Sequence, residues 1–212
     1  MSTRIRKILA SDYDGTLRRD GVIDPKDLEA IQRFRDAGNW FGIVTGRAYD
    51  MIANELIHYG VETDFLVCNN GSVVFDQRGQ VLVQINLDQK LALDLIAWLD
   101  QEPDVAFGAC DGKHYFSQMN GTYSATMKNE LIDANVSSKE AIIASGTITA
   151  FFTLKFTNEL TQDMMIRLEQ DFDHRLGMHT NGGTIDIGPL GVTKSTAIAA
   201  LQKRFPNDII TT

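Results

Sequence analysis

Short apolar runs, separated by segments of helical spacing, set the pattern of the first third of the chain. Residues 7–10, 40–44 and 64–68 each read as a buried strand. The unbroken run from Trp40 to Val44 has the character of a strand covered on both faces. After the first run, Asp24-Pro25 offers an N-cap followed by proline at the first helical position. Leu28, Ile31 and Phe34 then recur at helical spacing, and Gly38 ends the helix. A second helix is predicted over 49–59, closed by Gly60. Strand, helix and strand make a βαβ unit, which is right-handed almost without exception. That handedness sets the ends of the first two strands side by side and brings Thr45 next to Asp12. Residues 72–76 and 81–85, joined by Gln77-Arg78-Gly79-Gln80, read as a hairpin leading out of this unit.

The pattern then changes. A helix is predicted over 87–100, short strands over 105–110 and 113–117 around the Asp111-Gly112 turn, and helices over 122–134 and 138–144. Residues 148–156 form a strand rich in β-branched and aromatic side chains. A helix over 160–172 and strands over 175–180 and 184–187, around Asn181-Gly182-Gly183, complete the middle of the chain. This is a helix-and-antiparallel-strand module, not alternating βαβ. The expected fold class is therefore α/β, with a parallel-sheet core formed by residues 1–80 and 187–212 and an α+β module, 81–186, inserted between its halves. A last helix over 193–205 carries Lys194 in its first turn, and a strand begins at Ile209.

The first apolar run breaks at Ser11-Asp12-Tyr13-Asp14-Gly15-Thr16-Leu17. Two carboxylates one residue apart would share one face of a strand. Their repulsion, and the cost of burying them, call for a positive partner, and a hard cation such as Mg²⁺ suits oxygen ligands. Gly15 permits a tight turn whose amides, with Thr16, could form an anion-binding nest. An EF-hand loop counted from Asp12 would need a ligand at Thr16, Gly at Leu17 and Glu at Ile23, and fails. A glycosidase pair lacks any evident sugar platform. A metal site beside an anion site, at the mouth of an α/β sheet, points to phosphate chemistry.

These residues resemble a known family. Asp12-Tyr13-Asp14-Gly15-Thr16-Leu17 is similar to the first motif of the haloacid dehalogenase-like phosphohydrolases. Gly42-Ile43-Val44-Thr45-Gly46-Arg47, Cys68-Asn69-Asn70-Gly71-Ser72 and Gly191-Val192-Thr193-Lys194 resemble the second motif, the Asn-Gly turn of the Cof-type subgroup and the lysine-bearing third motif, in the family's order. The resemblance implies a Rossmann-like core with an inserted α/β cap, and a Mg²⁺-dependent phosphatase of small phosphorylated metabolites, such as sugar phosphates. It implies Asp12 as the nucleophile that becomes a phosphoaspartate, and Asp14 as acid and then base. Asp12's carboxylate and Asp14's carbonyl would hold Mg²⁺, and Thr45 and Lys194 the phosphoryl oxygens. Arg47 and Asn70, at the sheet mouth, would reach substrate or cap. A phosphomutase and a non-catalytic phosphate-binding protein are the rival functions. Relatives carry a fourth motif, Gly-Asp followed by Asn-Asp or Asp, after the strand that begins here at Ile209, and this sequence does not show it. Asp208 precedes that strand and would lie on the order of 13 Å from the sheet mouth. The 212-residue chain is therefore expected to be part of a longer phosphatase, binding Mg²⁺ weakly and turning over little by itself.

Composition narrows the partners. A net charge of −8 argues against a protein that grips nucleic acid through its phosphates. No stretch approaches the roughly 20 apolar residues of a membrane span. Cys68 and Cys110 are too few for a disulfide framework and read as buried thiols, which fits a reducing, cytoplasmic setting. The four histidines show no zinc-like spacing with them.

Overall fold

The structure, a computed structural model, describes residues 6–102, 105–118, 137–153, 158–181, 183–205 and 208–211. The helix expected over 122–134 lies outside the described residues.

Two sheets organise the chain. The first has six strands. Four run parallel: β1 (Lys7–Asp12), β4 (Trp40–Val44), β5 (Phe65–Cys68) and β13 (Ile209–Thr211). Two more, β6 (Val73–Asp76) and β7 (Val81–Gln84), add antiparallel at one edge, giving the order β13-β1-β4-β5-β6-β7. A small ribbon, β2 (Arg18–Arg19) with β3 (Val22–Ile23), stands just after β1. Helices α1 (Pro25–Asp36) and α2 (Tyr49–Tyr59) cover one face of the sheet through Ile31, Ile52 and Leu56. Helix α6 (Lys194–Arg204) covers the other through Ala197 and Leu201. Burial on both faces explains the unbroken apolar runs of the central strands. The predicted caps hold. Asp24 accepts from the Lys26 amide at the start of α1, and Gly60 closes α2 in the left-handed conformation.

The second sheet is wholly antiparallel, in the order β11 (Leu176–Asn181), β12 (Thr184–Pro189), β10 (Ala150–Thr153), β8 (Phe107–Cys110), β9 (Tyr115–Gln118). One of its faces packs on α3 (Gln89–Asp100), α4 (Lys139–Ala144) and α5 (Asn158–Asp171). Leu95, Leu99, Phe151, Leu168, Ile185 and Ile187 form the centre of that core. Each such fully buried side chain contributes about 1.5–3 kcal/mol. Because side chains alternate along a strand, Phe152 and Asp186 stand on the opposite face, towards the first sheet.

The expected seam between the modules shifts. Val81–Gln84 pairs with β6 and belongs to the first sheet, so the change of sheet falls after residue 84, not 80. On the return, β12 stays in the second sheet up to Pro189, not only to 186. The hairpin 72–85 looked like an exit because its second strand is half exposed, as an edge strand is. Asp208 pairs with Arg6 at the opposite end of β1 from Asp12, as its place in the sequence required.

Candidate active site

The register of the parallel strands delivers the site. Asp12 is opposite Val44, and Val44 opposite Val67, so Asp12, Thr45 and Asn69 all emerge at the same end of the sheet. Thr45 is buried, its amide donating to the Val67 carbonyl at 2.8 Å. Its hydroxyl oxygen accepts the Arg47 amide at 3.2 Å. The turn at Asn69–Gly71 braces this loop: the Asn69 and Asn70 amides donate to the carbonyls of Arg47 and Thr45, both at 3.0 Å.

Lys194 reaches the same end from the first turn of α6. Thr193 and Thr196 form a reciprocal capping box there. A lysine in that turn opposes the helix dipole, and the charge is met by Asp12, whose Oδ1 accepts from Lys194 Nζ at 2.5 Å. The Thr16 hydroxyl donates to the other oxygen, Oδ2, at 3.3 Å. The backbone holds this helix start very close to the Asn-Gly turn. Gly71 has φ +110°, and a β-carbon there would stand 2.2 Å from the Thr193 carbonyl oxygen. Gly71→Ala is therefore expected to push the start of α6 and Lys194 away from Asp12 and to destabilise the protein by about 1–3 kcal/mol. The urea-unfolding midpoint checks this.

Asp14 is held differently from the expectation. Arg47 is expected to reach substrate or cap; here its Nε and Nη2 donate to Asp14 Oδ2 and Oδ1 at 2.9 and 2.6 Å, a bidentate fork. The Arg47 side chain is largely buried, while its partner Asp14 stays 40% exposed. Burial alone would pull the guanidinium pKa down, but the bonds to Asp14 and the charges of Asp14 and Glu55 outweigh it, and the net shift is upward.

The sequence reading missed the group that anchors this fork. Glu55, in the middle of α2, is only 3% exposed. It forms ion pairs with Arg47 Nη1 at 3.0 Å and Arg18 Nε at 3.5 Å, and accepts the Tyr13 hydroxyl at 2.9 Å. Arg18 also lies 3.8 Å from Asp14. Tyr13 turns away from the two aspartates into packing, as expected. Burial, reinforced by the bond to Glu55, pushes its phenol well above the ordinary range. The signal was present: Ile52, Glu55, Leu56 and Tyr59 share the buried stripe of α2 at i, i+3, i+4 and i+7.

The anion nest read at Gly15 and Thr16 is corrected. The Gly15 amide donates to the Arg18 carbonyl at 2.9 Å and the Thr16 amide to the Tyr13 carbonyl at 3.3 Å. The turn satisfies these donors internally as it folds back into β2, so they are not offered to an anion. Thr16 keeps only its hydroxyl for the site.

The second sheet closes over these residues. Asn69 Nδ2 donates to Thr149 Oγ1 at 2.7 Å within the buried contact between the sheets. Asn70, with φ +52°, donates from Nδ2 to Asp186 Oδ2 at 2.9 Å. Asn70, expected to reach substrate or cap, is bonded here to Asp186 of the second sheet. Asp186 lines the same cleft as Asp12, although nothing in its spacing aimed it there. The cleft between the sheets measures about 660 Å³ and is lined by Asp12, Asp14, Thr45 and Lys194 from below and by Phe152 and Asp186 from above.

Asp12 and Asp14 supply hard oxygen donors of the kind Mg²⁺ prefers. Among the described residues no third His, Cys, Asp or Glu joins them in a cluster able to hold a metal ion. No helix of the described residues is long and apolar enough to cross a membrane.

A parallel sheet carrying Asp-x-Asp, Thr and Lys at one end, under an inserted antiparallel cap, defines a class. Residues 9–209 match the haloacid dehalogenase-like hydrolase family, and the chain belongs to it. Among curated proteins, it is 26% identical over 133 residues to phosphatase YwpJ of Bacillus subtilis, covering 61% of this chain and 43% of that one. It is 35% identical over 86 residues to the HMP-PP phosphatase of Yersinia pestis, covering 40% and 31%. The chain thus spans less than half the length of these relatives. Among solved structures, a HAD/COF-like hydrolase from Plasmodium vivax superposes with a TM-score of 0.76 at 22% identity, covering 96% of this chain and 75% of that one. The HAD subclass IIB sugar phosphatase BT4131 gives 0.74 at 17%, covering 94% and 76%. These likenesses support the core-and-cap fold.

Proposed function

We propose that this chain forms the core and cap of a Mg²⁺-dependent phosphatase that hydrolyses small phosphorylated metabolites through a phosphoaspartate at Asp12. The juxtaposition of Asp12, Thr45 and Lys194 at one sheet end, with Asp14 beside them, carries this reading. The names of the curated relatives, both phosphatases, support it.

Asp12 attacks the phosphorus, the bond to the leaving oxygen breaks, and Asp14 gives that oxygen a proton. Water then attacks the phosphoaspartate, Asp14 takes its proton, and inorganic phosphate leaves. Lys194 and the Thr45 hydroxyl hold the phosphoryl oxygens. For this to happen Lys194 must exchange its bond to Asp12 for one to substrate, and the Arg47 fork must open enough to let Asp14 carry a proton. The incoming phosphoryl group is the natural competitor for both cations. Mg²⁺ would be held by the Asp12 carboxylate and the Asp14 carbonyl and would neutralise part of the phosphoryl charge.

Two tests follow. On a chain with the complete site, phosphate release from p-nitrophenyl phosphate with Mg²⁺, accompanied by a trapped acyl phosphate, is the expected result. Release with no trapped species on Asp12 would overturn the covalent route, and exchange of phosphate onto a second sugar would indicate a mutase. With one carboxylate and one carbonyl as its ligands, and no cluster of three His, Cys, Asp or Glu among the described residues, Mg²⁺ should rely on the phosphoryl group for further oxygens. Calorimetry should therefore show Mg²⁺ binding at least about tenfold tighter with orthovanadate present than without it. Equal affinity in both would place the metal elsewhere.

A further inference from the structure

The inserted module touches the core at a further place, beside the cleft wall. The turn between β8 and β9, residues 111–114, sits against the first turn of α2. The Asp50 amide donates across this seam to the Lys113 carbonyl at 3.0 Å. Gln84 Nε2, on β7, donates to the Asp111 carbonyl at 3.2 Å. Gly112, at φ +106°, lies so near the core that a β-carbon there would be 3.2 Å from Val73 and Gln84. Behind the turn, Cys110 and Tyr115 pack with Ala48 and Met51. Ala48, Met51 and Cys110 also line the cleft, so this seat fixes part of its wall.

An imidazole stands between two carboxylates at this seat. Asp111 Oδ1 accepts the amides of Lys113 and His114 at 3.0 and 2.8 Å, and its Oδ2 faces His114 Nδ1 at 3.1 Å. The other ring nitrogen, Nε2, faces Asp50 Oδ2 at 4.0 Å. The ring thus lies between a carboxylate of the cap and a carboxylate of the core. A neutral imidazole has one N–H and can donate to only one of them; an imidazolium donates from both nitrogens. The ring is 49% exposed and can exchange its proton with solvent, whereas Asp50 and Asp111 are 18% and 15% exposed. Burial raises the Asp50 carboxyl pKa above its ordinary value; the charges of His114 and Lys113 oppose this, and that of Asp111 reinforces it. Among the described residues, the seat also holds Tyr49, whose ring lies 5.6 Å from Lys113 Nζ and whose phenol is pushed upward by burial. Histidine is the side chain whose charge ordinarily changes between about pH 5 and 8.

We propose that His114 is a pH-dependent clasp between cap and core. Protonated, it bridges Asp111 and Asp50 and holds the β8–β9 turn on α2; neutral, it leaves two carboxylates to repel across the seam, and the turn lifts more often. The sign follows from proton linkage. The seated turn binds the His114 proton more tightly than the lifted turn does. The clasp is therefore fully present at the acid end of histidine's range and is lost as pH rises through it. It weakens again where the carboxylates themselves take up protons. None of this depends on the chemistry at Asp12.

The test is amide hydrogen exchange of the 212-residue chain, followed by NMR across histidine's range, with each rate converted to a protection factor. The Asp50 amide reports the seat, because its bond crosses the seam. The Thr45 amide, bonded to Val67, and the Thr149 amide, bonded to Cys110, report the core and the cap separately. A partly exposed ion pair corresponds to about a two- to fivefold effect. The Asp50 protection factor should therefore fall about two- to fivefold between about pH 5.5 and about pH 7.5, with Thr45 and Thr149 changing less. His114→Gln should abolish that fall and hold Asp50 near the parent's value at the higher pH. Asp111→Asn keeps an acceptor for the turn but removes one carboxylate charge, so it should raise Asp50 protection at the higher pH and shrink the fall. An unchanged pH response in a His114→Gln variant that melts like the parent would overturn the proposal. So would an Asp50 amide that exchanges only together with Thr45. Where His114→Gln does not fold, Asp111→Asn decides, and an undiminished fall in that variant overturns the clasp.

Discussion

On a chain with the complete site, Asp12→Asn is expected to lower kcat on aryl phosphate by on the order of a thousandfold or more, the scale seen when a covalent nucleophile is removed. The amide keeps the shape of the side chain but cannot form the acyl phosphate. The fold should survive. Asp12 and Lys194 are 38% and 42% exposed, so losing their ion pair costs about 1 kcal/mol at most. Relief of the repulsion between two nearby carboxylates offsets part of that, although Arg47 already neutralises Asp14. A melting curve within a few degrees of the parent, together with absent phosphate release and no trapped acyl phosphate, is the expected result. Turnover near the parent level would show that another group attacks phosphorus.

Much of this was legible in the sequence because the parallel core is built from local, strongly patterned units. The run Trp40 to Val44 could only be a strand buried on both faces, and the short βαβ link left no freedom in where Thr45 would lie relative to Asp12. Lys194 was legible for another reason: Gly191-Val192-Thr193-Lys194 resembles the family's lysine-bearing third motif. What escaped depended on long-range register or on how a loop spends its own donors. The Gly15 turn has the composition of an anion nest, yet folding back into β2 consumes the two amides in question. Asp186 sits in a strand whose alternation says only that it opposes Ile185 and Ile187. Which face looks at Asp12 is decided by how the two sheets stack, through Asn69–Thr149 and Asn70–Asp186, contacts 80 and 116 residues apart. The seam after β7 was missed because edge and exit strands carry the same half-exposed pattern.

Glu55 is the most instructive of these, and its removal should cost the most stability. Nothing about an acidic residue inside a helix advertises burial, but its neighbours in the stripe, Ile52 and Leu56, are fully packed. There the carboxylate faces two guanidinium groups and one phenol. Glu55→Ala leaves all three in place with their common partner gone. Stripping one member from a buried ion pair typically costs about 3–5 kcal/mol, because the remaining charge is stranded away from water. Arg47 could recover part of this by leaning further onto Asp14, which would fix the fork more firmly and slow turnover as well. Glu55→Gln keeps an acceptor for Tyr13 and most of the packing, so it should destabilise less than the alanine variant. Urea unfolding of both, read against Arg47→Ala alone and in combination, measures the coupling directly. A strongly negative cycle, in which the double variant loses less than the sum of the singles, is the expected outcome. Additive losses would mean that Glu55 and Arg47 are independent neighbours, and that Asp14 is oriented by Arg47 without a buried anchor behind it.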